Sequence, residues 1–108
     1  MTTVRDIEQY LYACAPRELA ESWDNVGLLV GDPEAEVRRV LVALDVTPQV
    51  VDEAIEKGCQ LIAAHHPVMN CAWHQVQTVR TDARQGRVLT ELIRRGIAAI
   101  CMHTNLDA

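Results

Sequence analysis

Phenylalanine is missing from this chain altogether, and only two Trp and two Tyr are present among its 108 residues. A core without many large rings must be filled by Val, Ile, Leu and Ala, a composition that suits helices packed on a buried sheet. Positive charge is also scarce: ten Lys and Arg stand against fifteen Asp and Glu, for a net charge of −5. Such a balance lacks the broad basic footprint that DNA or RNA binding requires. Long apolar runs are absent too, and none approaches the roughly 20 residues needed to cross a bilayer. The four cysteines, Cys14, Cys59, Cys71 and Cys101, contain no C-x-x-C pair, so nothing points to a zinc ribbon or a thioredoxin-type motif. Most lie in apolar runs, where Cys acts as a small hydrophobe, and none has the exposed, electropositive setting of a nucleophile. Met1-Thr2-Thr3-Val4-Arg5-Asp6 opens a helix pattern rather than a signal peptide. The expectation is a reduced, cytoplasmic protein with no nucleic-acid and no membrane partner. Its length, 108 residues, is that of a single domain able to bury its own core.

What is present is a regular alternation of elements. Thr3 with Asp6 can cap a helix over residues 4–15, in which Val4, Ile7 and Leu11 recur at helical spacing. Leu28-Leu29-Val30 is a short apolar run closed by the turn Gly31-Asp32-Pro33. Val40-Leu41-Val42-Ala43-Leu44 is continuous, as expected of a strand covered on both faces. Pro48 opens a helix over 48–57 with Gly58 at its end. Leu61-Ile62-Ala63-Ala64 is the next strand. Residues 82–95 form a helix with Val88, Leu89, Leu92 and Ile93 facing inward and Gly96 as its stop, and 97–102 form the last strand. From Val40 onward the order is β-α-β-α-β, so the fold class is α/β with a parallel or mostly parallel sheet flanked by helices. The one long irregular stretch is 67–81, a length that is often functional. Its Trp73 and His74 are candidates for a substrate lid or for ordinary packing.

The chemistry collects after the three parallel strands, which end in Asp45-Val46-Thr47, His65-His66-Pro67 and His103-Thr104-Asn105-Leu106-Asp107. Ligands bind outside the carboxyl ends of parallel strands, so three His and two Asp converge on one rim. Side chains of adjacent residues in a strand point to opposite faces, but beyond the strand end that constraint lapses. Two diverging imidazoles then suit two metal ions about 3.5–4 Å apart. Asp107 supplies an oxygen ligand, and His plus carboxylate without thiolate fits Zn²⁺, Mn²⁺ or Fe²⁺. His103, four residues before Asp107, is either a proton carrier near the metals or a buried His bonded to backbone. Asp45 either orients a ligating His or caps the helix at Pro48, and the cap is the preferred reading. Trp23-Asp24-Asn25-Val26-Gly27 reads as a structural turn in which Trp packs and Gly27 allows a tight backbone, ahead of a pocket wall.

Glu21-Ser22-Trp23-Asp24-Asn25-Val26-Gly27-Leu28-Leu29-Val30-Gly31, Ala64-His65-His66-Pro67 and His103-Thr104-Asn105-Leu106-Asp107 resemble, in order, three N-terminal signatures of the Nif-three-like family. Its bacterial members are often labelled GTP cyclohydrolase 1 type 2 homologues. The resemblance implies an α/β protein of two similar halves, a dinuclear metal centre in a cleft, and often a toroidal hexamer. By position it assigns His66 and Asp107 to one metal and His65 to the other, with His103 beside them. Two departures stand out. Val68-Met69-Asn70 replaces the usual aliphatic pair and Phe, and no His follows His103, whereas the family completes its site with a His and, four residues later, a Glu. The chain thus corresponds to one half of the fold, the N-terminal metal-binding half, as a single domain over 1–108.

The expected function is a metal-dependent hydrolase with two divalent ions held by His65, His66 and Asp107, and with His103 as catalytic proton shuttle. The family label suggests a nucleotide or related heterocycle, yet there is no G-x-x-x-x-G-K-[ST] phosphate loop, and the small-molecule substrate is not identified. The competing readings are a metal-binding scaffold or regulatory protein, and an inactive half-length fragment. Self-association is expected through a sheet face left exposed.

Overall fold

The computed structural model describes residues 1–69 and 78–108. A first helix, α1 (Val4–Cys14), begins with a full capping box: the Thr3 hydroxyl accepts the Asp6 N–H, and the Asp6 carboxylate accepts the Thr3 N–H. A short 3-10 turn (Arg17–Leu19) leads to β1 (Gly27–Val30). Then follow β2 (Val40–Ala43), α2 (Pro48–Glu56), β3 (Leu61–Ala64), α3 (Arg84–Arg95), β4 (Ala98–Cys101) and a single turn of helix, α4 (Thr104–Asp107). Thr47 caps α2, its hydroxyl accepting the Val50 N–H, and Gly96 ends α3 in the left-handed region at φ 65°.

The sheet order is β1-β4-β3-β2, with β2, β3 and β4 parallel and β1 antiparallel to β4. The fold class is therefore α/β with a mostly parallel, mixed sheet. Helices α2 and α3 cover one face, burying Val51, Ala54, Leu89 and Leu92 against Ile62 and Ala99. Helix α1 covers part of the other, setting Val4 against Leu61, Ile100 and Met102. Among the described residues no helix is long and apolar enough to cross a membrane.

Two expectations are corrected. The run from Val40 is an edge strand, not one covered on both faces: Val42 is 78% exposed, and Val40 and Leu44 on the same face are also open. Helix α1 reaches the two central strands but not this edge. Ile93 does not face inward with Val88, Leu89 and Leu92 but lies exposed on α3. Residues 70–77, which include Cys71, Trp73 and His74, lie outside the described residues.

Candidate metal centre

The parallel ladder runs on past the strands and carries the paired histidines with it. The His65 N–H donates to the Ala43 carbonyl and the His66 N–H to the Leu44 carbonyl, while Met102 N–H reaches the Ala64 carbonyl. On the neighbouring strand, Asn105 fixes the turn after β4. Its buried amide accepts the His103 N–H through Oδ1 and donates through Nδ2 to the Ala15 carbonyl at the end of α1. These contacts bring three imidazoles together, with ring centroids 4.9 Å apart for His65 and His103, 5.2 Å for His65 and His66, and 5.4 Å for His66 and His103. One ligand nitrogen from each lies within 4.8 Å of the others.

Each ring is held by its Nδ1. That of His65 lies 2.8 Å from the Met102 carbonyl oxygen, that of His66 2.7 Å from Asp45 Oδ1, and that of His103 3.0 Å from Asp24 Oδ2. A carbonyl only accepts, so His65 carries its proton on Nδ1 and its Nε2 is left with a lone pair. Ligating histidines are oriented in this way by carbonyls and carboxylates behind them. Asp107 sits at the rim, with Oδ2 3.5 Å from His65 Nε2, and its side chain is 60% exposed.

The donor set fits a borderline divalent cation. Imidazole–metal bonds of about 2.1 Å place nitrogens around one ion no more than ~4.2 Å apart. A spread of up to 4.8 Å leaves room for one ion after a small contraction, or for two. The thiol beside the rings does not compete: burial, helped by the Asp24 charge, pushes Cys101 up to about 12, and the thiol donates to the His65 carbonyl.

Of the residues expected at the site, His65, His66 and His103 come together, and Asp107 approaches only His65 among them. His103 is not bonded to backbone through its ring; its Nδ1 meets a carboxylate. The preferred reading of Asp45 is corrected. Thr47 is the cap of α2, and Asp45 is bonded to His66. Of the structural reading of residues 23–27, the packing of Trp23 is corrected and the tight backbone at Gly27 holds. Trp23 is 62% exposed, edge-on to His103, rather than packed. Asp24 is the residue the sequence did not single out, and its side chain is only 2% exposed. Its carboxylate accepts the Thr104 N–H, the Thr104 hydroxyl and the Asn25 N–H besides meeting His103. Burial acts to raise its pKa, but these hydrogen bonds outweigh it and hold the group at about 2. The signal available was an acid beside a glycine turn in a motif too polar for its place before a strand. Gly27 itself, at φ 97°, has no room for a side chain beside Tyr12.

An α/β sheet whose parallel strands deliver three imidazoles to one rim defines a chain with a group of side chains that could hold a metal ion. The sequence profile of the Duf34/NIF3 family (NGG1p interacting factor 3) matches residues 2–108, and the chain belongs to that family. It is 45% identical over 104 residues to a GTP cyclohydrolase 1 type 2 homolog of Staphylococcus aureus, covering 96% of this chain and 27% of the relative. A relative of the same name in Clostridium acetobutylicum is 40% identical over 105 residues, covering 97% of this chain and 38% of the relative. The crystal structure of Staphylococcus aureus protein SA1388 superposes with a TM-score of 0.89 at 44% identity, covering 98% of this chain and 29% of that one. The chain thus spans between a quarter and two-fifths of the length of these curated relatives.

Proposed function

We propose that this chain forms part of the active centre of a metal-dependent hydrolase with a dinuclear site. His66 and Asp107 would hold one ion and His65 the other, with His103 as the group that carries a proton. The observation that carries this reading is the convergence of three imidazoles, each already anchored through Nδ1. Divalent ions held here would lower the pKa of water and stabilise charge developing on the attacked group. The chain's own part is to orient the rings from behind and to hold the neighbouring Cys101 as a thiol. The names of the relatives support a nucleotide or related heterocycle as the substrate class. Cys14, Cys59 and Cys101 are free thiols, in keeping with a reducing, cytoplasmic setting. We also propose that copies of the chain associate, with the open face of β2 as the contact.

The test is metal analysis of the purified protein, followed by a hydrolysis screen over nucleotides and related heterocycles with added Mn²⁺ or Zn²⁺. Turnover that is lost in the double variant His66→Ala, Asp107→Ala supports the enzyme. Bound metal with no turnover above that variant overturns it in favour of a metal-binding scaffold. A chain that takes up no metal is a folded remnant.

A further inference from the structure

Asp24 lies 79 residues from His103 in the chain, yet the two side chains meet. A residue serving only to tie the loop before β1 to the turn after β4 could do so with the Thr104 and Asn25 contacts alone. Instead both carboxylate oxygens also lie within 3.1 Å of His103 Nδ1. Three protein donors already converge on this group, two backbone N–H groups and the Thr104 hydroxyl, and none is a cation. Its remaining acceptor capacity is turned on one imidazole. A carboxylate only accepts, so the ring must present a proton at Nδ1. The nitrogen left for the space shared with His65 and His66 is then Nε2.

We propose that Asp24 is the positioning residue of this centre: it fixes His103 as the Nδ1–H tautomer, so that Nε2 serves the site as a proton acceptor. The inference rests on the metal-hydrolase reading and deepens it, because it gives the proton at His103 a direction. His103 Nε2 takes the proton from the attacking water, the resulting imidazolium keeps its Nδ1–H on Asp24, and the proton now on Nε2 passes to the leaving group, which restores the neutral ring. An Nε2–H tautomer would instead point a donor at the incoming water and block that step. His66 has its own carboxylate, Asp45, but there both side chains are about half exposed. The Asp24–His103 pair is shielded, with side-chain exposures of 2% and 22%, so water cannot readily take over the role of Asp24.

The experiment is a long-range proton–nitrogen correlation on the metal-free full chain with labelled histidine, at a pH where the rings are neutral. It is paired with Zn²⁺ titration against a competing chelator. The expected result is a proton on Nδ1 of His103 in the unaltered protein. In Asp24→Asn, whose amide must turn a donor toward one of the groups now accepted, that single-tautomer signature is lost, while His65 keeps its own. Zn²⁺ affinity changes less than about threefold, because the ring acts on water rather than on the ion. An Nε2–H proton at His103 in the unaltered protein overturns the proposal without any variant, should Asp24→Asn fail to fold. So does an unchanged signature in Asp24→Asn. A tenfold or greater loss of Zn²⁺ affinity in Asp24→Asn would make His103 a ligand and overturn its role as acceptor. Failure of the unaltered chain to bind Zn²⁺ overturns the underlying hydrolase reading instead, and is told apart because the tautomer measurement needs no metal.

Discussion

Asp45 and His66 meet across two strand ends, 2.7 Å apart and half open to solvent. Replacing Asp45 with Ala frees the ring to turn without disturbing the core, since the cap of α2 belongs to Thr47. The expected outcome is a Zn²⁺ affinity lower by roughly 10- to 100-fold with the melting temperature nearly unchanged, measured by chelator competition and calorimetry. Asp24 behaves differently because it is buried. Its pKa falls from 3.8 in the unfolded chain to about 2 in the folded one. The stability it adds is therefore fully present above about pH 4 and is lost as pH falls through about 2. A shift of this size corresponds to about 2 kcal/mol. Urea unfolding should show the gap between the unaltered protein and Asp24→Asn narrowing steadily as pH is lowered from about 5 toward 2.

At the scale of elements, α3 is held by more than its apolar stripe. Gly86, in its first turn, lies so close to the Arg80 carbonyl that an added Cβ would fall on that backbone. Gly86→Ala would gain about 1 kcal/mol of helix propensity. It must also push α3 off the segment before it, an overpacking that costs roughly 1–3 kcal/mol. The expected result is a net loss of stability, read as a lower urea midpoint at unchanged slope. Most elements were legible in the sequence because their signals are local: the Thr3 and Asp6 cap, Pro48 at the start of α2, Gly96 at the end of α3. Leu61 to Ala64 and the paired histidines after them were likewise readable from strand length and position. What escaped was set by distance along the chain. Nothing local in Val40 to Ala43 distinguishes a buried strand from an edge, since that depends on where α1 stops. The direction of β1 follows from its pairing with β4, and the roles of Asp24 and Asp45 from partners 79 and 21 residues away. At the candidate site the ring-bearing residues could be read from the strand ends; of the groups that orient them, Asp45 was legible only as the less favoured of two alternatives, and Asp24 was not singled out.

For the whole molecule, the open side of β2 is the feature that composition alone would not place. Val40, Val42 and Leu44 form an exposed apolar stripe along an edge strand, and such edges are prone to pair with other chains. Light scattering is expected to show association that rises with concentration. Val42→Lys should shift the protein toward monomer without lowering its melting temperature, because Val42 is already 78% exposed. A species that stays monomeric before the substitution would count against that contact.

The three rings differ in how replaceable their supports are. His66 and His103 each lean on one carboxylate side chain, whereas His65 leans on the Met102 carbonyl, a group that every amino acid would bring to that position. Selection, or a designer, can therefore retune two of the supports residue by residue, at 24 and at 45. The third ring keeps its bearing through any exchange at 102 that spares the strand, and so stays the fixed point of the centre while exchanges at 45 retune the hold on metal and exchanges at 24 retune the transfer of the proton.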